Sequence, residues 1–235
     1  TTAPSSGLQC YHGIGHGPVS TPDHRLWGNE KAMIDPALDL CHKVTKTEDN
    51  LFRCTSGVFN GIGNFYVTSE YKLIVRKDDP YWICKQQTEE NKTACYGNLH
   101  PTITWLSGQD FGKAVSLLER DAEPSYLNTA LRYVVGDFAR LSIEKSDFGQ
   151  NITACHSLST SLQQDCLIDF VTGLMDHGQP NSEYVLALKF CPNSALSSAE
   201  QNDCLKYTFP YLATMYSKDR FNSLCSSLEE RLKNY

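Results

Sequence analysis

His12 and His16 are the residues whose types and spacing most directly suggest chemistry. They stand four apart in the string Cys10-Tyr11-His12-Gly13-Ile14-Gly15-His16-Gly17. On a helix that spacing puts two imidazoles on one face, as in a metal-holding pair. Copper or zinc is the ion they would take, with a third ligand from His100, His177 or Asp176. A zinc peptidase built on two such histidines needs a glutamate directly after the first, and Gly13 stands there. That activity is therefore disfavoured. The competing reading is structural, with both imidazoles hydrogen-bonded to backbone in a crowded, glycine-rich stretch. No cofactor is predicted.

Other chemical signals are weaker. Asp176-His177-Gly178 forms a second polar site at the end of a predicted helix. His16, Asn60, His100 and His177 would share a face only if inner helices line a common surface, and their registers do not guarantee this. No serine-nucleophile elbow, phosphate-binding loop or dinucleotide glycine motif is present. Aromatic residues make up 11% of the chain. Phe65-Tyr66, Tyr71, Tyr81-Trp82, Trp105 and the stretch from Tyr207 to Tyr216 read either as core packing or as an exposed patch for a partner or glycan.

The elements that must position these side chains are marked by ten cysteines. Eight fall into four pairs: Cys41 and Cys54, Cys84 and Cys95, Cys155 and Cys166, Cys191 and Cys204. Each first cysteine lies in an apolar stripe of helical spacing, as in Leu38-Cys41-Val44, Ile152-Cys155-Leu158 and Phe221-Cys225-Leu228. Asp35-Pro36 and Asp79-Pro80 read as helix starts, an N-cap followed by proline at the first helical position. A polar stretch follows each first cysteine, and each second cysteine opens a new apolar run. The unit is thus an antiparallel helical hairpin stapled by a disulfide, each bridge contributing roughly 2–3 kcal/mol.

Gly17, Gly61 and Gly173 each stand seven residues after a cysteine. Glycine inside a helix costs about 1 kcal/mol relative to alanine, so each marks either a close helix approach or a helix end. The gap from Cys95 to Cys155 predicts a hairpin without cysteines, Lys113 to Arg120 followed by Ser125 to Leu141. Thr129 and a residue near Ser116 would then take the cysteine positions. Cys10 opens a second-helix pattern with no first helix before it, and Cys225 has a first-helix pattern with nothing after it. Paired, they would close the array into a ring. Unpaired, they would leave an open solenoid whose end thiols are free or bonded to another chain. The expected fold is all-α, disulfide-stapled helical-hairpin repeats in a curved solenoid or closed α/α toroid. One domain spans 1–235, with about six hairpins, the terminal one shared by both chain ends.

Composition bounds the function classes. A hydrophobic content of 40% in 235 residues supports a buried core. The net charge of -6, with both signs interspersed, disfavours nucleic acid. No apolar stretch approaches the length of a membrane span. Evenly spaced, even-numbered cysteines without close Cys-x-x-Cys knuckles favour disulfides over zinc, and an extracellular or secretory compartment. The polar opening from Thr1 to Gly7 looks like a mature end after signal removal. Asn91-Lys92-Thr93 and Asn151-Ile152-Thr153 are glycosylation sequons, expected on exposed positions.

The string Cys-x-His-Gly-Ile-Gly-His-Gly, then Ala37-Leu38-x-Leu40-Cys41 and Cys54-x-Ser56-Gly57-Val58-Phe59, resembles a group of uncharacterised secreted proteins built from cysteine-paired helical-hairpin repeats. Ala94-Cys95-Tyr96 and the later pairs fit the same layout, which departs from Lys113 to Gly136. The resemblance implies no activity. At fold level the hairpins are similar to tetratricopeptide-like repeats, which implies protein binding. The expected function is a secreted, non-enzymatic binding or assembly module that presents its surface to a protein partner or to itself. A metal- or cofactor-binding extracellular protein using His12, His16 and His177 is the alternative, and a hydrolase with an unrecognised site the third reading.

Overall fold

The computed structural model describes residues 4–20, 23–143 and 148–232, with side chains from Cys10 to Ser226 within those ranges. The stripe position Leu228 and the side chains from Thr1 to Gly7 lie outside the described residues. Every described element is helical. In chain order the helices are α1 (Pro4–Val19), α2 (Glu30–Val44), α3 (Glu48–Thr68), α4 (Trp82–Lys85), α5 (Glu89–Asn98), α6 (His100–Leu106) and α7 (Phe111–Asp121). They continue as α8 (Leu127–Ile143), α9 (Gly149–Ser157), α10 (Thr160–Asp176), α11 (Tyr184–Phe190), α12 (Ser198–Met215) and α13 (Lys218–Leu232). Short 3-10 turns occupy Glu70–Lys72 and Pro124–Tyr126. The chain divides into two compact units, Thr1–Phe138 and Ala139–Tyr235.

All four expected bridges are present. Cys41–Cys54 joins α2 to α3 and Cys84–Cys95 joins α4 to α5. In the second unit Cys155–Cys166 joins α9 to α10, and Cys191–Cys204 ties the end of α11 to α12. Each bridge therefore links consecutive helices and closes a short loop. The bridged cysteines are buried, so the staples lie inside the core they hold together.

The local reasons for the helices are visible in their caps and stripes. The Asn29 side chain accepts from the Ala32 amide at 3.1 Å and starts α2, which buries Met33, Ile34, Ala37, Leu38 and Cys41. The start expected at Asp35-Pro36 is corrected accordingly: Pro36 lies inside α2. A proline there removes one helical hydrogen bond. The buried stripe on both sides of Pro36 and the Asn29 cap outweigh that loss. Asp79-Pro80 stands just ahead of α4, with the Asp79 carbonyl accepting from the Trp82 amide at 3.1 Å and its carboxylate accepting from Lys85 Nζ at 2.8 Å. The cysteine-free pair forms as expected from α7 and α8, with Phe111 stacked on Phe138 at 4.8 Å between ring centroids. The buried positions fall beside Ser116 and Thr129. Ser116 is exposed, whereas Val115, Leu118 and Ala130 are buried. A threonine or serine hydroxyl at an inward position would have to find a partner, so apolar residues take that role.

Many of the aromatic residues are core. Tyr81, Tyr96 and Tyr126 stack in a column at 4.9 Å per step, and the Tyr96 hydroxyl donates to Glu123 at 2.9 Å. Phe148, Phe170 and Phe190 form a triangle in the second unit.

Candidate functional site

The histidines beside Cys10 are held where α1 crosses α3. A Cβ on Gly15 would fall on the Cys54 carbonyl oxygen and 2.8 Å from the Val58 nitrogen. A Cβ on Gly57 would fall on the His12 carbonyl oxygen and 3.3 Å from the Gly15 Cα. The two helices thus touch backbone to backbone, an approach only glycine permits. Gly61 belongs to the same contact, its missing Cβ lying 2.8 Å from Val19 Cγ2 and 3.1 Å from His16 Nδ1. Of the two readings of the regularly spaced glycines, close approach holds for Gly61. Gly17 has open space around it and lies near the end of α1.

On this platform the His12 and His16 rings meet, with their Nε2 atoms 3.1 Å apart and ring centroids 4.8 Å apart. Both are half-buried. Burial lowers the pKa of each, and for His12 the neighbouring His16 lowers it further, while a hydrogen bond to the Arg53 backbone acts the other way. The neutral form of each ring is thereby favoured, and in the 3.1 Å contact one Nε2 donates its proton to the other.

A second polar group continues along α3 in the same unit. Asp137 Oδ2 accepts from Thr104 Oγ1 at 2.9 Å and faces His100 Nδ1 at 2.8 Å. The carboxylate places the imidazole proton on Nδ1, which turns the His100 Nε2 lone pair toward Asn60 Nδ2 at 3.5 Å. Asn64 Nδ2 in turn donates to Asn60 Oδ1 at 3.1 Å. The His100 ring stacks on Tyr133, which itself packs over Gly97. This is an oriented base, and what faces it is an amide. Of the four residues expected on one face, Asn60 and His100 meet directly. Asp137 and Thr104 carried no sequence signal. Ser56, one helical turn before Asn60, has a buried hydroxyl without a hydrogen-bond partner among the described residues.

His177 and Asp176 belong to the other unit. His177 is the exposed C-cap of α10, its amide donating to the Gly173 carbonyl at 3.1 Å, and the Asp176 carboxylate accepts from the Tyr211 hydroxyl. Among the described residues no group of three or more His, Cys, Asp and Glu side chains is placed to hold a metal. The structure thus brings together His12 and His16, and His177 and Asp176 belong to a different unit.

The exposure expected of the two sequon asparagines is corrected. Asn91 and Asn151 are 5% and 7% exposed rather than on the surface. Asn91 Nδ2 donates to Thr88 Oγ1 at 3.3 Å, and Asn151 Nδ2 donates to Ser142 Oγ at 2.7 Å. The nitrogen that would carry a glycan is in both cases turned into the fold. Cys10 and Cys225 are both free, Cys10 exposed and Cys225 partly so. Comparison with family models, with curated proteins and with solved structures returns no match.

Proposed function

We propose that this chain is a secreted, non-enzymatic assembly module, a stapled helical-repeat scaffold that presents its surface to further copies of itself. The observation that carries this reading is how its cysteines are used. Eight close bridges between consecutive helices, while Cys10 stays exposed and free and Cys225 free and partly exposed. Four bridges favour an oxidising compartment, and among the described residues no helix is long and apolar enough to cross a membrane. An unpaired thiol in such a compartment is a site for intermolecular pairing. A Cys10 thiolate attacks a small disulfide such as oxidised glutathione, and a thiolate of a second copy then displaces the glutathione. Two protein thiols and one glutathione disulfide thereby become one protein disulfide and two glutathione thiols. Ile74, 80% exposed, and Trp105, 43% exposed, add apolar surface to the first unit.

The test is the size of the oxidised protein across a concentration series, with disulfides mapped by mass spectrometry. The expected result is a species larger than the monomer that reductant, or Cys10→Ser together with Cys225→Ser, removes. A monomer at every concentration overturns assembly. If that monomer joins Cys10 to Cys225 within one chain, the array closes on itself instead.

A further inference from the structure

We propose that His12 and His16 form a two-imidazole clamp for a divalent transition-metal ion, copper(II) foremost, bound through both Nε2 atoms with water in the remaining positions. This goes beyond the assembly reading and uses different residues, so each can fail without the other.

The spacing is the first argument. An ion bound to imidazole lies about 2.0–2.1 Å from the nitrogen. With the two Nε2 atoms 3.1 Å apart, an ion at that distance from both subtends an angle of about 100°. That lies close to neighbouring positions of a tetragonal copper(II) site and within reach of a tetrahedral one. Copper(II) also heads the affinity order of the divalent ions for nitrogen ligands. The rings are inclined to each other by 75° rather than stacked, and an entering ion replaces the hydrogen bond that their Nε2 atoms share.

Fixation is the second argument. The His16 ring sits over Gly61, where a Cβ would come within 3.1 Å of its Nδ1. The His12 carbonyl abuts Gly57, so its backbone is fixed at the tightest part of the crossing. Neither ring needs to find its place on binding, which limits the entropy lost there. Two ligands and no third carboxylate, thiolate or imidazole from the described residues make this an open site, suited to an exchangeable ion.

The experiment uses the folded, bridged protein with Cys10 and Cys225 alkylated, so that copper is not reduced by free thiols. Copper(II) chloride is added to chelator-stripped protein and followed by calorimetry and electron paramagnetic resonance. The expected outcome is one tight site per chain with two nitrogen couplings, weakened at least tenfold by His12→Ala or His16→Ala and unchanged by His177→Ala. Because α1 is closely packed, ring-proton resonances of the unsubstituted protein supply a second readout. At sub-stoichiometric copper those of His12 and His16 should broaden before those of the other histidines. Equal binding by the two variants, or earlier broadening at another histidine, would overturn the clamp.

Discussion

Asn151 shows how much a side chain's meaning depends on what surrounds it. As a triplet, Asn151-Ile152-Thr153 reads as a glycan acceptor. In the fold its amide nitrogen donates to Ser142 across the gap between α8 and α9. Truncating it removes a buried hydrogen bond, at a cost of about 1 kcal/mol. Thr153 is exposed and bonds only within its own helix, to the Gly149 carbonyl at 2.9 Å. Asn151→Ala should therefore lower the denaturant midpoint clearly, and Thr153→Ala, which destroys the same sequon, should leave it nearly unchanged. Equal losses from the two would point to a glycan instead. The His12–His16 pair was legible because positions four apart in one helix meet whatever the tertiary fold does. The His100–Asp137 contact was not, since it joins residues 37 apart whose meeting depends on how α6 and α8 pack.

At the scale of the helices, the caps and staples carry most of the local specification. Ser197 and Glu200 form a reciprocal capping box at the start of α12: Ser197 Oγ accepts from the Glu200 amide, and Glu200 Oε2 accepts from the Ser197 amide at 2.7 Å. Glu200 Oε1 also lies 2.8 Å from His156 Nε2 of α9. Burial alone would raise the Glu200 pKa, but the Ser197 hydrogen bonds and His156 outweigh it and hold it below its ordinary value of 4.5. A carboxylate whose folded pKa is depressed stabilises the fold fully above its unfolded pKa, and this contribution is lost as pH falls through the lower folded value. Unfolding measured over roughly pH 6 to 3 should therefore show a slope that Glu200→Gln reduces. An unchanged slope would mean the box contributes nothing to acid stability. Helix starts were legible where a cap stood alone. Asp35-Pro36 misled because proline is compatible with the first turn and also survives inside a helix whose apolar stripe is buried on both sides of it.

At the scale of the whole chain, contacts gather into two units, Thr1–Phe138 and Ala139–Tyr235, each with two staples. Cys191→Ser with Cys204→Ser should therefore loosen its own unit first. Loss of about 2–3 kcal/mol of loop constraint corresponds to amide exchange roughly 30- to 150-fold faster in α11 and α12, with α2 and α3 unchanged. Faster exchange across α2 and α3 as well would show that the two units open as one. The hairpin unit and its four bridges could be read from the sequence because they depend on contacts within about fifteen residues, where helical periodicity and loop length leave little choice. The same local rules placed His12 beside His16. Only the tertiary structure decided that Gly15 and Gly57 would be the point where two backbones touch, that His100 would find Asp137, and that the asparagines of both sequons would be buried. The first two contacts join residues distant in the chain, and side-chain periodicity shows which face of a helix is apolar without saying which other helix will cover it.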